Sequence, residues 1–258
     1  MREIIDFHIH PFISPENNFC FYGNTVNSTE DFMSDLKRAG ITKVCGSVIR
    51  RTEVKDFQII RELNREAIAL RDMYMYKYFY IPGVHIHPDF VKESIEELEL
   101  MHNKGVRLVG ELVPYLMGWQ DYYDENMAKI YGVINELKMV VSLHTINEET
   151  IDTAVSRFPH ITFVAAHPGD KEQFLRHLER IRKYKNYYLD LSGTGIFRYG
   201  LIAYGVREVG SERFVFGTDY PICNPSMYVN AVLFEKLKEQ DYNNILFENA
   251  KRILSLEN

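Results

Sequence analysis

Positive charge is in short supply in this chain of 258 residues: 30 Lys and Arg stand against 36 Asp and Glu, a formal net charge of −6. That balance gives no global attraction to a polyanion, so a nucleic-acid partner is not expected unless a local basic patch provides one. Cysteine is scarce, with Cys20, Cys45 and Cys223 widely spaced, odd in number and free of any Cys-x-x-Cys pair. A disulfide framework is therefore excluded. Together with the lack of a signal-peptide pattern at Met1-Arg2-Glu3, this points to the reducing cytoplasm. No apolar run approaches the roughly 18 residues of a membrane span, so no membrane partner is expected. Linker-like, low-complexity and repeated segments are also missing, and one domain over residues 1–258 is expected.

What is present is an alternation. Short apolar or β-branched runs recur at 3–9, 42–49, 78–86, 105–113, 139–144, 161–167, 187–191 and 213–219. Most are continuously hydrophobic, the pattern of parallel strands covered on both faces. Helical stretches separate them, the first opened by Ser28-Thr29-Glu30-Asp31 and closed by Gly40. Others are expected at 53–72, 89–103, 124–138, 147–158, 170–184, 199–209 and 226–239, with a terminal amphipathic stretch at 242–256. Eight strands alternating with eight helices predict an α/β fold of the (β/α)8 TIM-barrel type. A doubly wound open sheet would carry a Gly-rich turn after its first strand, and His10-Pro11-Phe12-Ile13 is nothing like one.

Ligand-type side chains gather at the C-terminal ends of these runs. In Ile4-Ile5-Asp6-Phe7-His8-Ile9-His10-Pro11, strand alternation puts His8 and His10 on one face, and Pro11 ends the strand. Asp6 shares their parity and is expected to face the barrel interior as well. Glu111 lies near the end of the fourth run, His144 closes the fifth, His167 the sixth and Asp219 the eighth. All six fall on the face where barrel enzymes build their active sites. Neutral imidazoles with one or two carboxylates suit Zn²⁺, and also Mn²⁺, Fe²⁺ or Co²⁺. A catalytic ion with an open position activates water, and a carboxylate such as Asp219 can hold or take the proton.

The opening IIDFHIHP, the SLH, AAHPG and FGTDYP strand ends, and the closing stretch Tyr242–Leu254 resemble the amidohydrolase superfamily of metal-dependent hydrolases. The resemblance is to its amidohydrolase-2 branch, which holds lactone and amide hydrolases and also non-oxidative decarboxylases. It implies metal binding by His8, His10, His144 and Asp219, with His167 either a second-metal ligand or a base or polarising residue. The VGELVPY setting of Glu111 is similar to the strand-four Gly-Glu of TatD-like deoxyribonucleases, which implies a ligand or near-ligand and leaves one or two ions open. The leading expectation is a hydrolase in which a metal-bound water cleaves an ester, lactone, amide or phosphoester of a small metabolite. Asp219 would shuttle the proton and His167 would steady the oxyanion. The alternatives are a non-oxidative decarboxylase of an aromatic or unsaturated acid, and a TatD-like nuclease.

Candidate substrate contacts sit in the loops of the same face. Arg50, followed by Arg51, and Arg198 could clamp a carboxylate. Tyr115, Trp119 and Tyr220 could wall a cyclic substrate, and a second His-x-His, His85 and His87, ends the third run as a lining or a structural pair. His102, His160 and His177 are expected at the surface. The small-molecule substrate itself is not legible, and a homo-oligomer is compatible with the chain.

Overall fold

Each apolar run becomes a parallel strand in the computed structural model of the chain, which describes residues 2–23 and 25–256. The strands are β1 (Ile5–Ile9), β2 (Lys43–Gly46), β3 (Tyr80–Val84), β4 (Leu108–Leu112), β5 (Val140–His144), β6 (Phe163–Ala166), β7 (Tyr187–Asp190) and β8 (Phe214–Val215). They pair in the order β1-β2-β3-β4-β5-β6-β7-β8. Backbone bonds from Phe7 N to Phe216 O, from Asp219 N to His8 O and from His10 N to Tyr220 O bring the last strand back to the first, 2.8 Å each. The fold is the expected (β/α)8 barrel.

Each strand is followed by a helix: α1 (Thr29–Arg38), α2 (Gln58–Asp72), α3 (Val91–Asn103), a short α4 (Pro114–Met117), α5 (Glu125–Glu136), α6 (Glu148–Arg157), α7 (Lys171–Lys183), α8 (Leu201–Val209) and α9 (Pro225–Phe234). Local chemistry sets these limits. Ser28 Oγ accepts from Asp31 N, acids occupy the first turn of α1, and Lys37 and Arg38 occupy its last turn. This arrangement complements the helix dipole, and a side-chain cap is worth about 1 kcal/mol. Phe32, Met33 and Leu36 form its buried face, and Gly40 with φ of 86° ends it. Helix α2 starts five residues later than expected, because Thr52 N and Val54 N bond instead to Leu116 O and Met117 O. No helix among the described residues is long and apolar enough to cross a membrane.

Every strand contributes to one apolar cluster that fills the barrel interior: Ile5, Phe7, Cys45, Leu108, Val140, Val164 and Val215, with Ile81 and Tyr188 packed against them. Ala250 and Leu254 of the last helix, α10 (Asn249–Leu254), join it and close the end opposite the strand C-termini. The alternation expected to carry Asp6 onto the face of His8 is interrupted, since the β1–β2 register shifts between Asp6 and Ile9. The Asp6 carboxylate accepts from His8 N, Thr218 N and Thr218 Oγ1, at 3.1, 3.0 and 2.6 Å, and so ties β1 to the segment after β8.

His177 is a correction to the sequence reading. It is fully buried on α7, in a stripe with Phe174, Leu178 and Ile181, and its Nδ1 lies 2.6 Å from the Tyr187 hydroxyl. His160 is exposed and His102 half-buried. Burial, with the Arg180 charge, holds His177 down at about 3. An unfolded histidine titrates near 6.5, so between these values only the unfolded state takes the proton. The stability this residue contributes is complete above about pH 6.5 and drains as pH falls toward 3, at about 1.4 kcal/mol per pH unit. Urea unfolding of His177→Gln between pH 4 and 7 is expected to show a flatter acid limb than the parent chain. Parallel limbs would contradict it.

Candidate active site

Four donor atoms converge above the apolar interior. The register shift in β1 brings both imidazoles inward, with His8 Nε2 and His10 Nε2 3.1 Å apart. Each ring is held from behind. His10 Nδ1 lies 3.2 Å from Ser47 O, and a carbonyl only accepts, so this nitrogen carries the proton and Nε2 offers its lone pair. His8 Nδ1 lies 2.5 Å from Asp190 Oδ2, which fixes the same tautomer. Asp219 Oδ1 sits 3.6 and 3.4 Å from the two Nε2 atoms, and Glu111 Oε2 sits 3.3 and 3.5 Å from them. Two lone pairs facing each other between two carboxylates call for positive charge at their centre. The set of nitrogens and oxygens fits a divalent transition-metal ion.

The other face of Glu111 meets a second pair. Its Oε1 lies 2.9 Å from His144 Nδ1 and 3.8 Å from His167 Nε2. His167 Nδ1 is 3.1 Å from Ser192 Oγ, which donates to Asp190 Oδ2 at 2.9 Å and lies 3.0 Å from His8 Nδ1. His167 and Asp219 both have positive φ, 70° and 63°, at the strand ends that aim them. Glycines make room. A Cβ on Gly217 would collide with the Asp190 carboxylate and the Cβ of His8, and one on Gly193 would collide with the His167 ring.

Electrostatics follow from this crowding. Burial works against charge on His8, but Glu111 and Asp190 outweigh it and hold the imidazole well above its usual range. His10 is likewise raised despite burial, by Asp219 and Glu111. Burial raises Glu111, yet His8, His144 and His10 win and place it well below the ordinary carboxylate range, and Asp219 is lowered in the same way by His10 and His167. His167 is lowered, chiefly by burial. Burial pushes Asp6 up to about 7 against its bonds to Thr218 and His8.

His10, Glu111, His144, His167 and Asp219 line a cavity of about 660 Å³, and His8 lies buried beneath them. Its walls include Phe19, Phe21, Tyr115, Leu116, Phe197 and Tyr228, and Arg51 is the one arginine or lysine among its described lining residues. Tyr115 is the sequence candidate that reaches this wall, stacked edge-on over His144 at 5.4 Å. Arg50 does not reach it. Its guanidinium is engaged by Asn17 Oδ1 at 2.8 Å, Glu16 at 2.6 Å and Glu62 at 3.8 Å, whereas Arg51 makes no ion pair among the described residues. Arg198 donates to Gly169 O at 3.0 Å and stacks on Phe197, outside the lining. Trp119 is buried against His87 and Tyr122, and Tyr220 bonds to Asp35. His85 and His87 are buried behind the wall.

Asp190 and Ser192 are site residues that the sequence reading missed. Asp190 lies in the seventh run, 187–191, and Ser192 follows it directly, by the same strand-end rule that marked the other strands. Asp190→Asn keeps the shape and removes the acceptor charge that orients His8. A 10- to 100-fold loss of metal affinity is expected, measured by competition with a chelating dye. Unchanged affinity would remove Asp190 from this role.

The family model described as Amidohydrolase matches residues 5–256. No curated protein matches the chain. Among solved structures, it resembles 2,6-dihydroxybenzoate decarboxylase from Rhizobium, at 16% identity, TM-score 0.76 and 100% coverage of both chains. It also resembles 5-carboxyvanillate decarboxylase from Sphingomonas paucimobilis, at 13% identity and TM-score 0.76, with 99% of each chain covered. A third is dihydroxybenzoic acid decarboxylase from Polaromonas sp. JS666 with bound manganese and the inhibitor 2-nitroresorcinol, at 14% identity and TM-score 0.72, covering 99% of this chain and 98% of that one. At such identities the likeness establishes the fold.

Proposed function

We propose that this chain, which belongs to the amidohydrolase family, is a metal-dependent, non-oxidative decarboxylase of an aromatic or unsaturated carboxylic acid. The observation that carries this reading is Arg51, without an ion pair among the described residues, on an aromatic-walled cavity whose other charged lining is imidazole and carboxylate. A planar acid fits a space of about 660 Å³ with its ring against Phe19, Tyr115 or Phe197 and its carboxylate toward the guanidinium. The decarboxylases among the similar structures favour this alternative over the hydrolysis that the sequence put first. His8, His10, Glu111 and Asp219 would hold the ion, with manganese, present in one of those structures, the first to test. When bound, the ion supplies positive charge for the substrate's oxygens. The chain's own residues carry the proton. Asp219, with His167 beside it, takes up a proton from solvent and delivers it to the ring carbon that bears the carboxylate. The C–C bond then breaks, its electron pair restores the aromatic system, and CO₂ leaves.

The test is to offer manganese-loaded protein 2,6-dihydroxybenzoate, 5-carboxyvanillate and related acids in ¹⁸O-water. CO₂ released in equal amount to decarboxylated product supports the reading, and no CO₂ from any acid of the panel overturns it. One observation favours hydrolysis as a second reading: the two oxygens of Glu111 face two donor groups, His8 with His10 and His144 with His167. Two ions per chain by elemental analysis, and ¹⁸O in the product of an ester or lactone, would support it, in the manner of the TatD-like glutamate.

A further inference from the structure

The second His-x-His lies at the edge of β3, and neither imidazole lines the cavity, although both are 1% exposed. Each ring holds a different loop. His85 Nε2 lies 2.8 Å from Val48 O, and His87 Nε2 lies 3.2 Å from Met117 O. Both acceptors are carbonyls, so both nitrogens carry protons and donate them. His87 Nδ1 in turn accepts from Asp89 N at 3.2 Å.

The histidines are anchored from behind. Asn64 of α2 accepts from His85 N at 2.7 Å and donates to His85 O at 3.1 Å, and Ser94 of α3 exchanges two 2.9 Å bonds with the backbone of His87. The two loops are also joined to each other. Thr52 N donates to Leu116 O at 2.9 Å and Val54 N to Met117 O at 3.1 Å. Met117 O thus receives both the His87 ring and the Val54 amide. Arg51 and Tyr115 lie beside these bonds and reach the cavity wall from the same two segments as Ile49, Val113 and Leu116. The neighbouring carbonyl, Ser47 O, is the acceptor that orients His10.

We infer that His85 and His87 are positioning residues that fasten the loops after β2 and β4 to the rigid end of β3, and thereby set where Arg51 and Tyr115 stand. A pair of histidines at a strand end beside a cation site is thus used as two N–H donors rather than as ligands or substrate contacts. Arg51 follows Val48 by three residues in a segment with no regular structure, and its backbone is held by these bonds rather than by a helix or ladder. The functional consequence, a weaker grip on a carboxylate, rests on the decarboxylase reading. The fastening itself does not.

Two substitutions at each position separate the donor from mere bulk. Glutamine presents an N–H near the place of Nε2, whereas asparagine is too short to reach the carbonyl. Amide hydrogen exchange of Thr52 and Val54 is the primary readout, in the metal-loaded full chain. His85→Asn or His87→Asn is expected to speed exchange at these two amides at least tenfold, with metal content unchanged, and the matching glutamine variant is expected to restore slow exchange. The Kd for 2,6-dihydroxybenzoate should weaken about tenfold in the asparagine variants and recover in the glutamine ones. Each histidine is changed separately, so one folded pair of variants decides. Equal exchange in the asparagine and glutamine variants overturns the inference. If the unaltered chain binds no 2,6-dihydroxybenzoate or any other acid of the panel, the functional reading fails while the exchange data still decide the fastening.

Discussion

Asp219→Asn is expected to lower turnover about 10³-fold, the range removed when a positioned proton-transfer group is lost. The side chain stands in the segment after β8 with φ of 63°, a conformation asparagine tolerates better than most residues, so the backbone need not move. Asp219 N still donates to His8 O, which keeps the barrel closed. What disappears is the carboxylate 3.4 Å from His10 Nε2 and 3.6 Å from His8 Nε2, together with the proton it can carry. Its proximity to His10 and His167 holds it below the ordinary carboxylate range, so it is ionised at neutral pH and takes its proton during the cycle. Circular dichroism of the variant should match the parent, and kcat on the best acid of the panel is the deciding measurement. A loss smaller than tenfold would mean that the proton comes from elsewhere, with His167 the next group to examine.

Arg51→Met is expected to reduce kcat/KM about 100-fold, mostly through KM. Hydrogen bonds to a charged partner are worth about 1.5–3 kcal/mol, and a factor of 100 corresponds to about 2.7. Methionine keeps the length of the stem and removes the fork. Lysine restores charge without the two parallel donors and should recover only part of the loss. The control is its neighbour. Arg50→Met removes a guanidinium already committed to Asn17, Glu16 and Glu62, outside the cavity, and should leave KM within about threefold, since such exposed pairs are worth little. Equal effects at 50 and 51 would mean that the carboxylate is held some other way.

That pair shows where sequence reading reaches its limit. The order of strands and helices was legible because apolar runs and caps are local signals, and the barrel followed from their alternation. The gathering of His8, His10, Glu111, His144, His167 and Asp219 was legible for the same reason, because a strand end fixes which face of the barrel a residue occupies. Side-chain direction beyond a strand end is not local. Whether Arg50 or Arg51 turns into the cavity depends on bonds from Thr52 and Val54 in the loop after β2 to Leu116 and Met117, which come after the whole of α2, β3 and α3. Trp119 and Tyr220 read as wall residues, yet one packs on His87 and the other on Phe32, because large rings near a strand end find the core more readily than the cavity. The register shift in β1 breaks the parity on which the Asp6 expectation rested. His177 and Asp190 differ, since each lies on a pattern visible in the chain: the inward stripe of α7 and the end of the seventh run.

The clasp between Asp6 and Thr218 joins positions 212 residues apart. The two imidazoles of β1 meet Asp219 only once that seam has formed, so a partly wound barrel owns the separate donors but not the site. Cation binding at this centre and completion of the fold would therefore be one thermodynamic event seen from two sides. An ion held at this centre would favour the closed ring over open intermediates and stabilise the whole chain by an amount that grows with the logarithm of its concentration over the dissociation constant. For such long-range closure, slow by its topology, an ion bound there would act as a latch on the last turn of assembly as well as in the proposed chemistry.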